Sequence, residues 1–415
     1  MINISKLYCD QVTPGDWLRY GKTGSGEREG EIVPKKASER RPIVVWNITS
    51  ACNLKCVHCY NDSSTRSSDE VSTDGAKKVL DGLADFGVPS VLFSGGEPLI
   101  RPDLFELIAY AGDRGLRTVI STNGTLITTE KAKQIKKNGV SYVGISLDGI
   151  GEINDKFRGV AGAFDDAVQG IKNCQDAGVR IGLRLTLTGK NVQDLESLFG
   201  FFESENIERA CFYHFVPSGR GGEMAAEDLT HAQSREAVDM IMAKTRRYKQ
   251  EGKTTDILTV DNHVDGIYLY LKLKEEDPAR AEEVWKLLSW NGGGMYSSGV
   301  GIGCIDFHGK VHADQFWWHY DLGDIRKRPF GDIWMDTSDP LMRGLKDRRN
   351  YVKGRCRLCK FFDGCGGALR VRADLHFGDP WAPDPGCYLT DEEIGLDAEK
   401  LAELERTGET FQMPD

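Results

Sequence analysis

An α/β fold built on a parallel sheet is what this sequence predicts, and three observations predict it. Short β-branched runs recur at 43–47, 90–94, 118–121, 142–146, 180–187 and 210–215. Amphipathic stretches of helical length separate them at 73–86, 103–114, 129–137, 163–177 and 192–203, and another follows at 232–251. From Gly292 the composition changes to glycine, tryptophan and cysteine. Strand alternating with helix implies parallel neighbours joined by right-handed crossovers. Six units are too few to close an eight-fold barrel.

The elements fall into five segments. Residues 1–41 read as an irregular leader, with a Gly-, Ser- and charge-rich loop at 21–31. Residues 42–251 carry the strand–helix units. Residues 252–290 are charged and helical in character, a connecting segment with a Lys/Glu patch at 272–276. Residues 291–390 form a second domain. The tail, 391–415, predicts one acidic helix over 391–405 with Thr390 as its N-cap. There is no internal repeat.

Bulk properties narrow the classes. The chain has 415 residues, 40% hydrophobic and 28% charged, an ordinary globular composition. No apolar run approaches membrane-spanning length, and the N-terminus lacks a signal peptide's pattern, so a soluble cytoplasmic protein is expected. Net charge is −10, which argues against a nucleic-acid partner. Cysteines number eleven, an odd count, and seven show metal-ligand spacing. That points to metal sites in a reducing compartment, not disulfides.

Three of those seven, Cys52, Cys56 and Cys59, follow the first β run at spacing C-x3-C-x2-C. Three thiolates can hold a 4Fe–4S cluster and leave one iron without a protein ligand. An open position is what a catalytic metal site needs. A zinc knuckle is the alternative; it normally wants a fourth ligand, and the nearest candidate, His58, lies between two of the cysteines. After the second strand comes Ser94-Gly95-Gly96-Glu97-Pro98, two glycines that let backbone approach a ligand, then a carboxylate. Strands three and four end in Ser121-Thr-Asn123-Gly and Ser146-Leu-Asp-Gly, small polar groups where a barrel ligand sits.

On these motifs, in this order, the chain resembles the radical S-adenosylmethionine (SAM) enzymes. The resemblance implies a partial (β/α)6 barrel with its cluster at the C-terminal face of the strands. It implies that SAM chelates the open iron, and that Glu97 and the Gly95–Gly96 backbone meet the SAM amino group. By the same resemblance Ser121, Asn123, Ser146 and Arg184 line its ribose and carboxylate, and His58 or Tyr60 lies against adenine. No catalytic residue is assigned beyond the cluster and SAM. A flavodoxin or ferredoxin would be the electron donor, under anaerobic conditions.

The other four, Cys356, Cys359, Cys365 and Cys387, have spacing C-x2-C-x5-C-x21-C, which closes a metal site with no open position. Zinc and iron both fit that spacing. The region resembles the SPASM/twitch extension of radical SAM enzymes, which implies an auxiliary 4Fe–4S cluster, two clusters in all. A full SPASM domain would have cysteines where this chain has Asp314 and Leu369, so one auxiliary cluster is expected and not two. Cys174 and Cys211 read as core. Cys304 reads as a buried thiol or a near-site residue, and Cys9 is undecided.

Residues 313–320 are dense in aromatics, and alternation cannot bury all of Phe316, Trp317, Trp318 and Tyr320 on one face. Residues 341–372 carry ten Lys or Arg against two Asp. Either they compensate anionic clusters or they bind a substrate with several carboxylates. The C-terminal stretch is similar to the tetrapyrrole-modifying radical SAM enzymes, through Asp314-Gln-Phe-Trp-Trp-His319, Arg370-Val-Arg372 and Gly378-Asp-Pro-Trp381. The opening 4–9 and Cys365-Gly-Gly look most like members that remove two acetate side chains from 12,18-didecarboxysiroheme to give Fe-coproporphyrin III in heme biosynthesis. That resemblance implies a tetrapyrrole pocket from Trp317, Trp318, His319, Tyr320, Arg370 and Arg372. The rivals are a sibling reaction (heme d1 precursor synthesis or propionate decarboxylation), peptide modification, and a non-catalytic iron–sulfur electron carrier.

Overall fold

A computed structural model describes residues 1–12 and 39–414. The loop expected at 21–31 lies outside the described residues. One eleven-stranded mixed sheet organises the chain. Its centre is seven parallel neighbours: β2 (Ile43–Asn47), β3 (Ser90–Ser94), β4 (Arg117–Thr122), β5 (Tyr142–Ser146), β6 (Ile181–Leu187), β7 (Arg209–His214) and β8 (Asp256–Val260). At one edge β1 (Ile2–Asn3) pairs antiparallel with β8. At the other, β9 (Ile302–Ile305) pairs parallel with β2, and β10 (Lys310–His312) and β11 (Gly323–Asp324) continue antiparallel.

Period-two alternation gives the central strands two faces with different jobs. One face carries Trp46, Phe93, Ile120, Ile145, Leu183 and Phe212, all fully buried. They pack on helix residues such as Leu80, Leu107, Ile135, Ile171 and Leu198 in a core that runs on into the C-terminal region. The other face carries Asn47, Ser94, Ser121, Ser146, Arg184 and Tyr213. That polar face is the one a hydrophobic core cannot explain.

Helix ends follow the capping chemistry in the sequence. Ser72 accepts from Gly75 N to start Thr73–Phe86, and Gly87 ends it in the left-handed region. Thr230 and Gln233 form a reciprocal capping box for His231–Gln250.

Four segments differ from expectation. The segment 252–290 opens with strand β8 before its helices, Val264–Glu276 and Pro278–Asn291, so the parallel sheet continues past residue 251. The first twelve residues are not irregular: Ile2, Ile4 and Leu7 are buried against the β8 edge. A short helix, Glu152–Arg158, follows β5. In the tail, Thr390 does cap a helix, but Gly395 at φ +79° stops it at Ile394, and Asp397 starts another over Ala398–Thr407. No described helix is long and apolar enough to cross a membrane.

Candidate active site

The three-cysteine loop leaves β2 at the C-terminal edge of the sheet and is fastened from several sides. Cys52 N donates to Ser64 O (3.1 Å), Lys55 N to Arg158 O (3.0 Å) and Val57 N to Phe157 O (2.9 Å). The turn after β3 is stitched to it: Gly96 N donates to Thr49 O and Glu97 N to Ala51 O, both at 2.7 Å. A Cβ on Gly95 would sit 2.5 Å from Thr49 O, and one on Gly96 2.2 Å from Ala51 O. The two glycines are therefore required by the cysteine loop itself, a closer reason than ligand approach.

Glu97 is turned inward as well. It is fully buried, and its carboxylate accepts from Leu99 N (3.0 Å), Thr122 Oγ1 (2.8 Å) and Asn123 N (2.8 Å). The side chain joins the ends of β3 and β4, and three hydrogen bonds leave about one carboxylate acceptor site for the expected ligand ammonium. Asn123 Nδ2 in turn donates to Asn53 Oδ1 (2.9 Å), so Asn123 ties β4 to the cysteine loop.

The sheet's polar face does converge beneath the loop. Tyr60 OH donates to Asn47 Oδ1 (2.8 Å) and lies 3.3 Å from Ser94 Oγ. Arg184 Nη1 donates to Ser121 Oγ (2.6 Å). Ser146 stands opposite Arg184 in register, and Gly144 leaves the room the guanidinium fills, since a Cβ there would be 2.2 Å from Nε. Of the expected SAM-site residues, Tyr60, Ser121, Ser146 and Arg184 share this face; Glu97 and Asn123 do not point there.

Three elements of the site were not among the expected site residues. Asp148, at the end of β5, lies 2.5 Å from Arg158 Nη2 and 3.1 Å from His58 Nε2. Arg158 Nη1 also reaches Cys56 Sγ (3.6 Å). Burial alone would raise the Asp148 carboxyl; Arg158 and then His58 overcome it and hold it at about 2. His58 is thereby fixed, edge-on to Phe157 at 5.5 Å. The third element is the Gly-rich run after β7. Arg220 Nε donates to Cys56 O (2.8 Å), and Gly221 N to Cys59 O (3.3 Å). Gly219, at φ +56°, has room for no Cβ beside Tyr60 O. A glycine cluster at a strand's C-terminal end was the available signal.

The thiols fit an iron–sulfur cluster. Burial pushes Cys52 up to about 12, with Cys56 and Cys59 adding to the rise, so the three groups lie within one another's fields. Burial raises Cys56 also, against the pull of Arg158. Thiols so placed ionise when they bind a cationic metal centre.

The other four cysteines, within residues 356–387, line one pocket with Arg355, Asp384 and apolar side chains such as Ile267, Phe361 and Leu389. Burial pushes Cys359 up to about 11 and Cys387 up to about 12. Among the described residues, no group of three His, Cys, Asp or Glu side chains closes on a single metal ion.

The expected substrate residues divide. Arg372 is buried, paired through Nε and Nη2 with Asp384 (2.7 and 3.0 Å), and donates to Phe215 O and Asp261 O. Arg370 is fully buried and donates to Gly367 O, Pro380 O and Ala382 O. Trp317 is core, with Nε1 donating to Asp374 (3.0 Å). All three are buried, and protein groups use their donors except Arg370 Nε, so the structure gives none of them a surface facing a substrate. Trp318, His319 and Tyr320 keep solvent-facing surface. Phe316, omitted from the expected set, faces the site: its ring meets Tyr60 at 5.7 Å, and Ser218 Oγ donates to its carbonyl.

Comparison with known proteins agrees with this geometry. The Radical SAM superfamily profile matches residues 46–202. The Fe-coproporphyrin III synthase of Methanosarcina barkeri is 53% identical over 95% of this chain and 99% of its own length. The pre-heme d1 synthase of Dinoroseobacter shibae is 39% identical over 86% of this chain and 88% of its own. The solved structure of native anSMEcpe with bound AdoMet and Cp18Cys peptide shares the fold at TM-score 0.65 and 17% identity, over 89% of this chain and 99% of that one. The chain belongs to the radical SAM superfamily, and its cofactors are SAM and a 4Fe–4S cluster.

Proposed function

We propose that this enzyme removes the two acetate side chains of 12,18-didecarboxysiroheme to give Fe-coproporphyrin III, a step of heme biosynthesis. The observation that carries the reading is the likeness to a Fe-coproporphyrin III synthase at 53% identity along nearly the whole of both chains. When bound, a reduced cluster with SAM would supply radical hydrogen-abstraction chemistry. Cys52, Cys56 and Cys59 hold that cluster. Arg158 and Asp148 brace Cys56 and orient His58. Ser121, Ser146 and Arg184 receive the polar end of SAM, Arg184 as a fixed cation for its carboxylate. Tyr60 and Phe316 form an aromatic wall that keeps water from the reacting carbon.

Cys356, Cys359, Cys365 and Cys387 hold an auxiliary 4Fe–4S cluster, supported by their convergence on one pocket. A flavodoxin or ferredoxin supplies electrons. The tetrapyrrole lies against Phe316, Trp318, His319 and Tyr320. The deciding experiment is anaerobic incubation with SAM, dithionite and candidate tetrapyrroles, read by mass spectrometry. Loss of two acetates from didecarboxysiroheme is the expected result. Turnover only of a sibling tetrapyrrole, or only of a peptide, replaces this reading.

A further inference from the structure

Two buried arginines beside the four-cysteine pocket make no direct ion pair with a carboxylate. Arg348 is 1% exposed. Its Nη1 donates to Ala368 O (3.1 Å), and its Nη2 to Ser298 O (3.1 Å) and Ser297 Oγ (3.4 Å). Arg370 is 0% exposed and bonds only carbonyls, among them Gly367 O. Each keeps its Nε without a partner. Gly367 and Ala368 are consecutive residues of the pocket wall, next in the chain after Cys365 and Gly366. Each guanidinium therefore stands one carbonyl behind the surface that the four thiols share.

Buried charge of this kind costs several kcal/mol unless an opposite charge is near. The candidates among the described residues are few. Asp384, in the pocket wall, acts on both through space, but its oxygens are bonded to Arg372, Leu369 N and Gly386 N. Asp314 lies close enough to act on Arg348, but its Oδ1 accepts from Phe316 N and burial pushes its carboxyl upward. Burial and the neighbouring Arg370 together push Arg348 down to about 9, the mark of a cation short of counter-charge. A tetrathiolate metal centre in the pocket is anionic and would supply that charge.

We propose that Arg348 and Arg370 are the counter-ions of the auxiliary cluster and set its reduction potential, with no contact to substrate. This rests on the auxiliary-cluster reading above. Cations one carbonyl away stabilise the more negative, reduced cluster more than the oxidised one, so their loss makes the cluster harder to reduce. It also explains why an acidic chain buries two arginines that no carboxylate pairs with directly.

The test is an EPR-monitored redox titration of the auxiliary cluster in a Cys52/Cys56/Cys59→Ala background, with iron and zinc measured on the same samples. Arg348→Met or Arg370→Met should lower the equilibrium constant for one-electron reduction tenfold or more, a fall of about 59 mV per tenfold. Arg348→Lys, which keeps the charge, should stay near the parent value, as should Arg343→Met at an exposed site. Unchanged potentials in both Met variants overturn the proposal. So does an equal shift in Arg348→Lys, which would mark a packing effect. Zinc in place of iron in the parent would instead overturn the auxiliary-cluster reading and the proposal with it.

Discussion

The two cysteine sites of this molecule are built on opposite principles. The three-cysteine loop is held by polar contacts from distant parts of the chain: Arg158, Arg220, Ser64 and the β3 turn. Beneath it lies the polar face of the sheet. The four-cysteine pocket is walled mostly by apolar side chains, with Arg355 and Asp384 in the wall and Arg348 and Arg370 set behind backbone carbonyls. One site is shaped to admit a charged ligand and hold it by hydrogen bonds. The other is shaped to exclude one.

Four substitutions would break or sharpen that contrast. The largest effect is expected from Cys52/Cys56/Cys59→Ala: SAM cleavage should vanish, while iron falls from about eight to about four per chain. Iron falling to zero would mean that the two sites depend on each other.

Arg372→Ala comes next. Breaking a buried pair with Asp384 should cost about 3–5 kcal/mol in denaturant unfolding. Tetrapyrrole affinity of the folded fraction should be unchanged. A selective loss of affinity at normal stability would restore Arg372 as a substrate contact.

Glu97→Ala leaves Thr122 Oγ1, Asn123 N and Leu99 N without their buried acceptor. The expected loss is up to about 3 kcal/mol of stability, with a cluster more easily bleached by chelator. Reduced SAM affinity with an unchanged melting temperature would show that Glu97 meets SAM directly.

The smallest effect belongs to Asp148. Its carboxyl sits at about 2 in the folded chain against an ordinary 3.8, so the folded state binds the proton less readily than the unfolded one. The resulting stability, about 2 kcal/mol, is present above pH 4 and is lost as pH falls towards 2. Acid unfolding of the metal-free protein should lose this component in Asp148→Asn. An identical acid limb in the variant would refute the pairing with Arg158.

What the sequence revealed was local. Cysteine spacing, the Gly-Gly-Glu turn and the strand–helix alternation are each written within a few dozen residues. What it hid depends on direction and distance. Arg158 reaches Cys56 across 102 residues with no motif to announce it. Counting arginines over 341–372 could not show that Arg348, Arg370 and Arg372 are buried, because a guanidinium can be satisfied by carbonyls that composition does not show. Strand β8 is five residues between charged stretches, too short for periodicity to separate it from the helices around it. Glu97 illustrates a subtler limit: a motif marks that a residue matters to a site without saying which way its side chain turns.

The clamp after β7 also imposes a timetable on biogenesis. Cys59 leaves the ribosome about 160 residues ahead of Gly221, whose amide closes over its carbonyl. At about 5–20 residues per second that interval is roughly 10–30 s. Throughout it three neighbouring thiols are in the open with no cage around them, exposed to oxidants and to any soft metal. Cluster insertion after barrel closure would find the thiols already caged. The yield of active enzyme should depend on how reducing the cell is during those seconds, whatever the stability of the finished protein.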